Sequence, residues 1–135
     1  MNGLLKASLA ELLGTFTLIF VGGAAVASGQ GVVAAALAHG LALVSIIFVY
    51  GHISGAHVNP AVTVGLLVGG KVTIDRAAFY IAAQFIGGVL GAIVVNIVIT
   101  DGARLGQTIG SLTADSVGQA ALFEAFMTFL LVSAV

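Results

Sequence analysis

The residues of this chain best suited to chemistry lie in one stretch, Gly51-His52-Ile53-Ser54-Gly55-Ala56-His57-Val58-Asn59-Pro60-Ala61. Asn59 is a favoured N-cap. Pro60 has a fixed φ and no N–H, so it suits the first position of a helix. Asn59-Pro60-Ala61 therefore starts a short helix, whose N-terminus carries unpaired N–H groups and a partial positive charge. Such an end repels cations, hydronium included. The Asn59 amide can donate hydrogen bonds to a passing water or hydroxyl. The residues before it, Gly55, Ala56, His57 and Val58, offer backbone carbonyls as acceptors. Donors at one point and acceptors in a line suit a single file of small neutral polar molecules.

Other chemistries fit this stretch less well. His52 and His57 could be metal ligands, but no third ligand is nearby and the chain has no Cys. Ser54 beside two His could suggest a hydrolase, yet no residue pattern of a nucleophilic site surrounds it. No metal, cofactor or enzyme activity is therefore expected. Three other ionisable residues sit within apolar runs: Glu11, His39 and Glu124. A carboxylate inside a membrane is expensive, so it is usually paired or functional. The lone charged residues could suggest an ion-coupled transporter, a reading weakened by the structural roles open to both carboxylates.

The chain that must position these residues is 135 long, 60% hydrophobic and only 7% charged. Soluble domains carry about 25% charged residues. A chain this apolar cannot cover itself with polar surface, and lipid is the solvent that fits. No Asp, Glu, Lys or Arg occurs between Glu11 and Lys71, or between Arg76 and Asp101. A spanning helix needs about 20 apolar residues, so these runs hold several spans. The formal net charge of −1 gives no basis for nucleic-acid binding. Disulfides are excluded by the absence of Cys.

The expected spans cover residues 4–27, 32–50 and 77–100, with a polar break at Ser28-Gly29-Gln30-Gly31. Residues 51–60 are too rich in Gly and polar groups for a lipid-facing helix. The apolar run 61–68 is too short to span, and 71–76 is a polar turn. A loop over 101–117 leads to a fourth apolar segment near Gly118. The first span is too long for a cleaved signal peptide, and Glu11 lies in its first turns. Lys6, Lys71 and Arg76 fall on one side of this layout and Arg104 on the other. The positive-inside rule then places the N-terminus and the 71–76 turn in the cytoplasm. Span two ends on that side and span three starts there. Residues 52–70 must then leave and return to one face as a re-entrant loop. Irregular backbone at membrane depth is tolerated only inside protein or along a water-filled cavity.

An internal repeat adds to this. Glu11-x-x-x-Thr15-Phe16-x-Leu18 recurs as Glu124-x-x-x-Thr128-Phe129-x-Leu131. With three spans between the copies, the second enters from the opposite face, an inverted repeat. The stretch Gly51 to Thr63 resembles the first signature loop of the major intrinsic protein family, the aquaporins and aquaglyceroporins. Ala10-Glu11-Leu12-Leu13-Gly14-Thr15-Phe16 is similar to that family's first helix. Tyr80, Ala83-Gln84 and Gly87-Gly88 are similar to its third, and Glu124, Thr128-Phe129 and Leu130-Leu131-Val132 to the start of its fourth.

The resemblance implies an all-α membrane protein, the N-terminal half of an aquaporin-like fold. Three to four transmembrane helices and one re-entrant half-helix would form a single membrane domain over residues 1–135. Residues 1–100 would be the first inverted repeat, and 101–135 an external loop and the start of the fourth helix. The implied function is a passive channel for water and small neutral solutes such as ammonia, in the plasma membrane, and a homotetramer when full length. A glycerol channel and a non-conducting half-channel that binds other subunits are the alternatives. The family pore uses two such loops and a second-half Arg, so a partial chain is expected. By resemblance, Glu11 would hold the loop near His57 and Glu124 would match that role for a second loop; a hydrated interfacial Glu11 is the alternative. His39 would occupy the outer selectivity filter; the alternative is a buried His bonded to a helix carbonyl. Gly87-x-x-x-Gly91 is expected to let helices approach within the bundle.

Overall fold

The computed structural model describes residues 3–99 and 116–134. Five helices follow one another: α1 (Gly3–Ala27), α2 (Val32–Ser54), α3 (Pro60–Val68), α4 (Ile74–Val98) and α5 (Val117–Ser133). No strand occurs among the described residues. The loop at 101–115, with Arg104 and the outward charge expected of it, lies outside them.

The long helices follow from charge-free runs whose only Pro, Pro60, stands at a helix start. α1, α2 and α4 are long and apolar enough to cross a membrane. At 1.5 Å per residue the 25 residues of α1 reach about 37 Å, more than the ~30 Å hydrocarbon layer. Large apolar side chains such as Val32, Phe48, Phe85 and Leu122 point outward. In lipid that is their solvent.

Side-chain meetings fix the directions. On α1, Gly22 faces His39 and Gly14 faces Ile46, so α2 runs antiparallel to α1. On α4, Gly87 faces Leu12 and Gly91 faces Phe16, so α4 runs parallel to α1. A Cβ at Gly87 would collide with the Leu12 carbonyl, and one at Gly91 would lie 2.8 Å from the Phe16 carbonyl oxygen. The two helices touch backbone to backbone through these glycines, as the sequence spacing led us to expect. α3 packs on α4 and α5, the latter where Gly65 meets Val132.

These directions make the connection between α2 and α4 turn back on itself. α2 ends at Ser54, bonded to Glu11 near the start of α1. The chain then climbs, and Val58, Asn59 and Pro60 share a groove with Thr15, Leu18 and Ile19, halfway along α1. α3 descends from there. The turn at 71–76 lies beside Leu4 at the start of α1. The segment thus enters and leaves by one end of the bundle.

Two boundaries differ from expectation. α2 runs on to Ser54 rather than stopping at Tyr50, because Gly51 and Ser54 face the bundle instead of lipid. α4 begins at Ile74 rather than Ala77, its first turn taking in Asp75 and Arg76.

Candidate functional site

Between α2 and α3 the backbone is irregular over residues 55–59. Gly55 closes α2 in the left-handed region (φ 94°), its N–H bonded to Gly51 O at 2.9 Å. Ala56 (φ 49°) and Val58 (φ 40°) also take positive φ, which is costly for residues with a Cβ. What this conformation gains is a set of inward-facing N–H groups. Ala56 N–H bonds Ser54 Oγ at 3.0 Å. His57 N–H bonds Glu11 Oε1 at 3.0 Å, and Val58 N–H bonds Glu11 Oε2 at 2.6 Å. Successive N–H groups form a nest for an anion, and here the anion is a side chain of α1.

Glu11 is fully buried. Besides the two backbone donors, it accepts the Ser54 hydroxyl at 2.6 Å and Gln84 Nε2 at 2.8 Å. One carboxylate therefore ties α1, the end of α2, the loop and α4 together. Both oxygens are doubly satisfied, which offsets the cost of placing it there.

Thr63 forms the second node, also fully buried. Its hydroxyl donates to Asn59 O at 3.1 Å and accepts from Gln84 Nε2 at 2.9 Å. His57 Nδ1 lies 3.1 Å from the same hydroxyl. Tyr80, fully buried, donates its O–H to Ser54 O at 2.8 Å and meets the His57 ring edge-on. That carbonyl ends α2 and has no partner within the helix.

With the N–H groups turned inward, the carbonyls of Gly55, Ala56, His57 and Val58 accept no hydrogen bond among the described residues. The side chains of Ala56, His57 and Val58 are buried, those of Ala56 and Val58 packing with Ile46. Of this row, Val58 borders the groove, next to Asn59 and Pro60. At its upper end Asn59 Oδ1 caps α3 by accepting Ala61 N–H at 2.8 Å. The cap fixes which way the amide points and leaves Nδ2 without a protein partner among the described residues. Asn59 and Pro60 border an open groove of about 450 Å³ whose other walls include Thr15, Leu18, Phe85 and Val89.

The remaining candidates stand apart. His39 lies against Gly22 in the α1–α2 contact, half-buried, with Nδ1 2.8 Å from Ala35 O. Glu124 is exposed on α5 and has no hydrogen-bond partner among the described residues. No cluster of metal-ligating residues occurs among the described residues. Sequence reasoning did not place Ser54, Thr63, Tyr80 and Gln84 in the loop's support. Gln84 carried a signal: it is a polar side chain in the middle of a charge-free span.

The Major intrinsic protein family model matches residues 2–135. The chain is 42% identical over 132 residues to Aquaporin-2 of Ovis aries, covering 94% of this chain and 49% of that protein. It is 44% identical over 128 residues to the lens fiber major intrinsic protein of Mus musculus, covering 91% and 49%. With Aquaporin TIP4-4 of Zea mays it shares 37% identity over 149 aligned residues, covering 98% and 57%. The chain spans about half the length of these curated relatives. Three apolar helices long enough to cross a membrane make it an integral, multi-pass membrane protein. Matched along nearly all its length, it belongs to the major intrinsic protein family.

Proposed function

We propose that this chain forms one half of a passive transmembrane channel for water and small neutral solutes, ammonia among them. The observation that carries the reading is the pairing of donor and acceptors at mid-depth. The Asn59 amide is held by its own cap where Val58 and Asn59 border the groove, and the carbonyls of Gly55 to Val58 accept no hydrogen bond among the described residues. A neutral molecule can trade hydrogen bonds along such a row. A cation meets the positive end of α3 and is disfavoured. On this reading Asn59, Pro60 and Ala61 set the donor end, residues 55–58 supply the acceptors, and Glu11 holds them. His39 then belongs to the outer filter, and Glu124 to the support of a second loop.

The basic residues Lys6, Lys71 and Arg76 at the α1 and α4 starts favour a cytoplasmic N-terminus. The resemblance to aquaporins favours the plasma membrane and a homotetramer. Glycerol remains the competing solute, since a filter with His39 accepts a wider molecule than one closed by a larger apolar ring.

A second reading is favoured by the groove itself. It is open along one side, so this chain walls only part of a path. A half-channel that binds another membrane subunit and conducts nothing alone would look the same. Stopped-flow light scattering on proteoliposomes of this chain separates the two. A rise in water permeability over empty vesicles, lost in Asn59→Leu, supports conduction. Permeability equal to that of empty vesicles supports the non-conducting half. Parallel swelling in glycerol and ammonium gradients ranks the solutes.

A further inference from the structure

A second cavity, of about 270 Å³, opens at the end of the bundle where α1 and α4 begin. It is lined by Leu4, Lys71, Val72, Thr73, Asp75 and Arg76. None of these residues takes part in the loop network. We propose that this pocket seats the phosphodiester headgroup of an anionic phospholipid.

Arg76 is exposed but rests on an aromatic ring. Its guanidinium carbon lies 5.9 Å from the centre of the Tyr80 ring, within cation–π range. The ring cannot drift, because Tyr80 is fully buried and its O–H is tied to Ser54 O. A planar guanidinium resting on that ring can grip a phosphate through its paired N–H groups. Lys71 adds an exposed ammonium, while the Thr73 hydroxyl is taken up by the Asp75 carboxylate. Asp75 subtracts one charge, so the rim carries two positive groups against one negative. That balance matches a monoanionic phosphodiester better than a polyphosphate.

The surroundings favour a lipid over a soluble phosphate. Leu5 and Ile74, chain neighbours of the pocket residues, are 59% and 77% exposed. Exposed apolar side chains next in sequence to the charged pocket give acyl chains a surface to lie against. Headgroup above and hydrocarbon below is the order in a bilayer leaflet.

The test is spin-label EPR on the full chain in phosphatidylcholine vesicles, using spin-labelled phosphatidylglycerol as the probe. The readout is its association relative to spin-labelled phosphatidylcholine. The labelled anionic lipid should associate preferentially. Lys71→Gln should lower that preference about fivefold, as expected for one basic residue near a membrane surface. Lys6→Gln, an exposed lysine at the same end but outside the pocket, should leave it unchanged. The Lys71 side chain is exposed, and its backbone N–H keeps its bond to Leu66 O in the variant, so the fold is retained. Far-UV circular dichroism checks this. The proposal is overturned if Lys6→Gln costs as much as Lys71→Gln, which would mean diffuse surface charge. It is also overturned if Lys71→Gln has no effect, or if millimolar inorganic phosphate displaces the labelled lipid.

Discussion

Glu11, in the first helix, accepts the backbone N–H of Val58 at 2.6 Å across 47 positions of sequence. That bond holds Val58 at a φ of 40°, a value a β-branched residue rarely adopts. The loop's shape is thus set by a carboxylate outside the loop. Its N–H groups are taken up by Glu11 and Ser54, while its carbonyls from Gly55 to Val58 accept no hydrogen bond among the described residues.

Replacing Glu11 should therefore release the loop. Glu11→Gln turns an NH2 toward donors that need an acceptor, and leaves at least one buried N–H unsatisfied. We expect destabilisation of about 2 kcal/mol or more. Thermal unfolding in detergent, followed by circular dichroism, measures it. An unchanged midpoint would show that the carboxylate contributes nothing.

The contact between α1 and α4 makes a paired prediction. Gly87→Ala drives a methyl into the Leu12 carbonyl and should cost about 1–3 kcal/mol, the usual range for overpacking. Gly88→Ala adds the same methyl 3.8 Å from the Ile19 side chain, an ordinary contact, and should be close to neutral. Equal effects of the two would contradict the parallel packing described above.

Thr63 and Tyr80 can be ranked. Thr63→Val removes the acceptor of the buried Gln84 Nε2–H and the hydrogen-bond partner of His57 Nδ1. Tyr80→Phe removes one donor from a carbonyl. A buried unsatisfied N–H is worse tolerated than an under-used carbonyl. Tyr80→Phe should cost about 1 kcal/mol and Thr63→Val more, about 2 kcal/mol or above. Chemical denaturation of both variants in mixed micelles gives the order.

His39 and Gly22 should be coupled. Gly22→Ala places a methyl where the imidazole lies and should cost about 1–3 kcal/mol. In a His39→Ala background the same change should cost under about 0.5 kcal/mol, since the space is vacant. A double-mutant cycle reads the difference; additive effects would mean that the two residues do not meet.

Residue types alone determined the membrane architecture. Charge-free runs longer than a bilayer is thick have few other stable arrangements, and the start of α3 was legible because Asn before Pro has local capping chemistry. Local rules work there because the interactions reach only a few residues. The end of α2 was misplaced for the opposite reason. Gly51, His52 and Ser54 look like helix-ending polar residues, yet Ser54 finds Glu11 43 positions away and its carbonyl finds Tyr80 26 positions on. Tertiary structure alone decided that two non-glycine residues of the loop take positive φ, that Thr63 and Gln84 share a hydrogen-bonded node, and that His39 rests on Gly22. Each depends on helices brought together by glycine contacts. A buried polar group must find its partner in space, and where that partner sits is set by packing rather than by nearness along the chain.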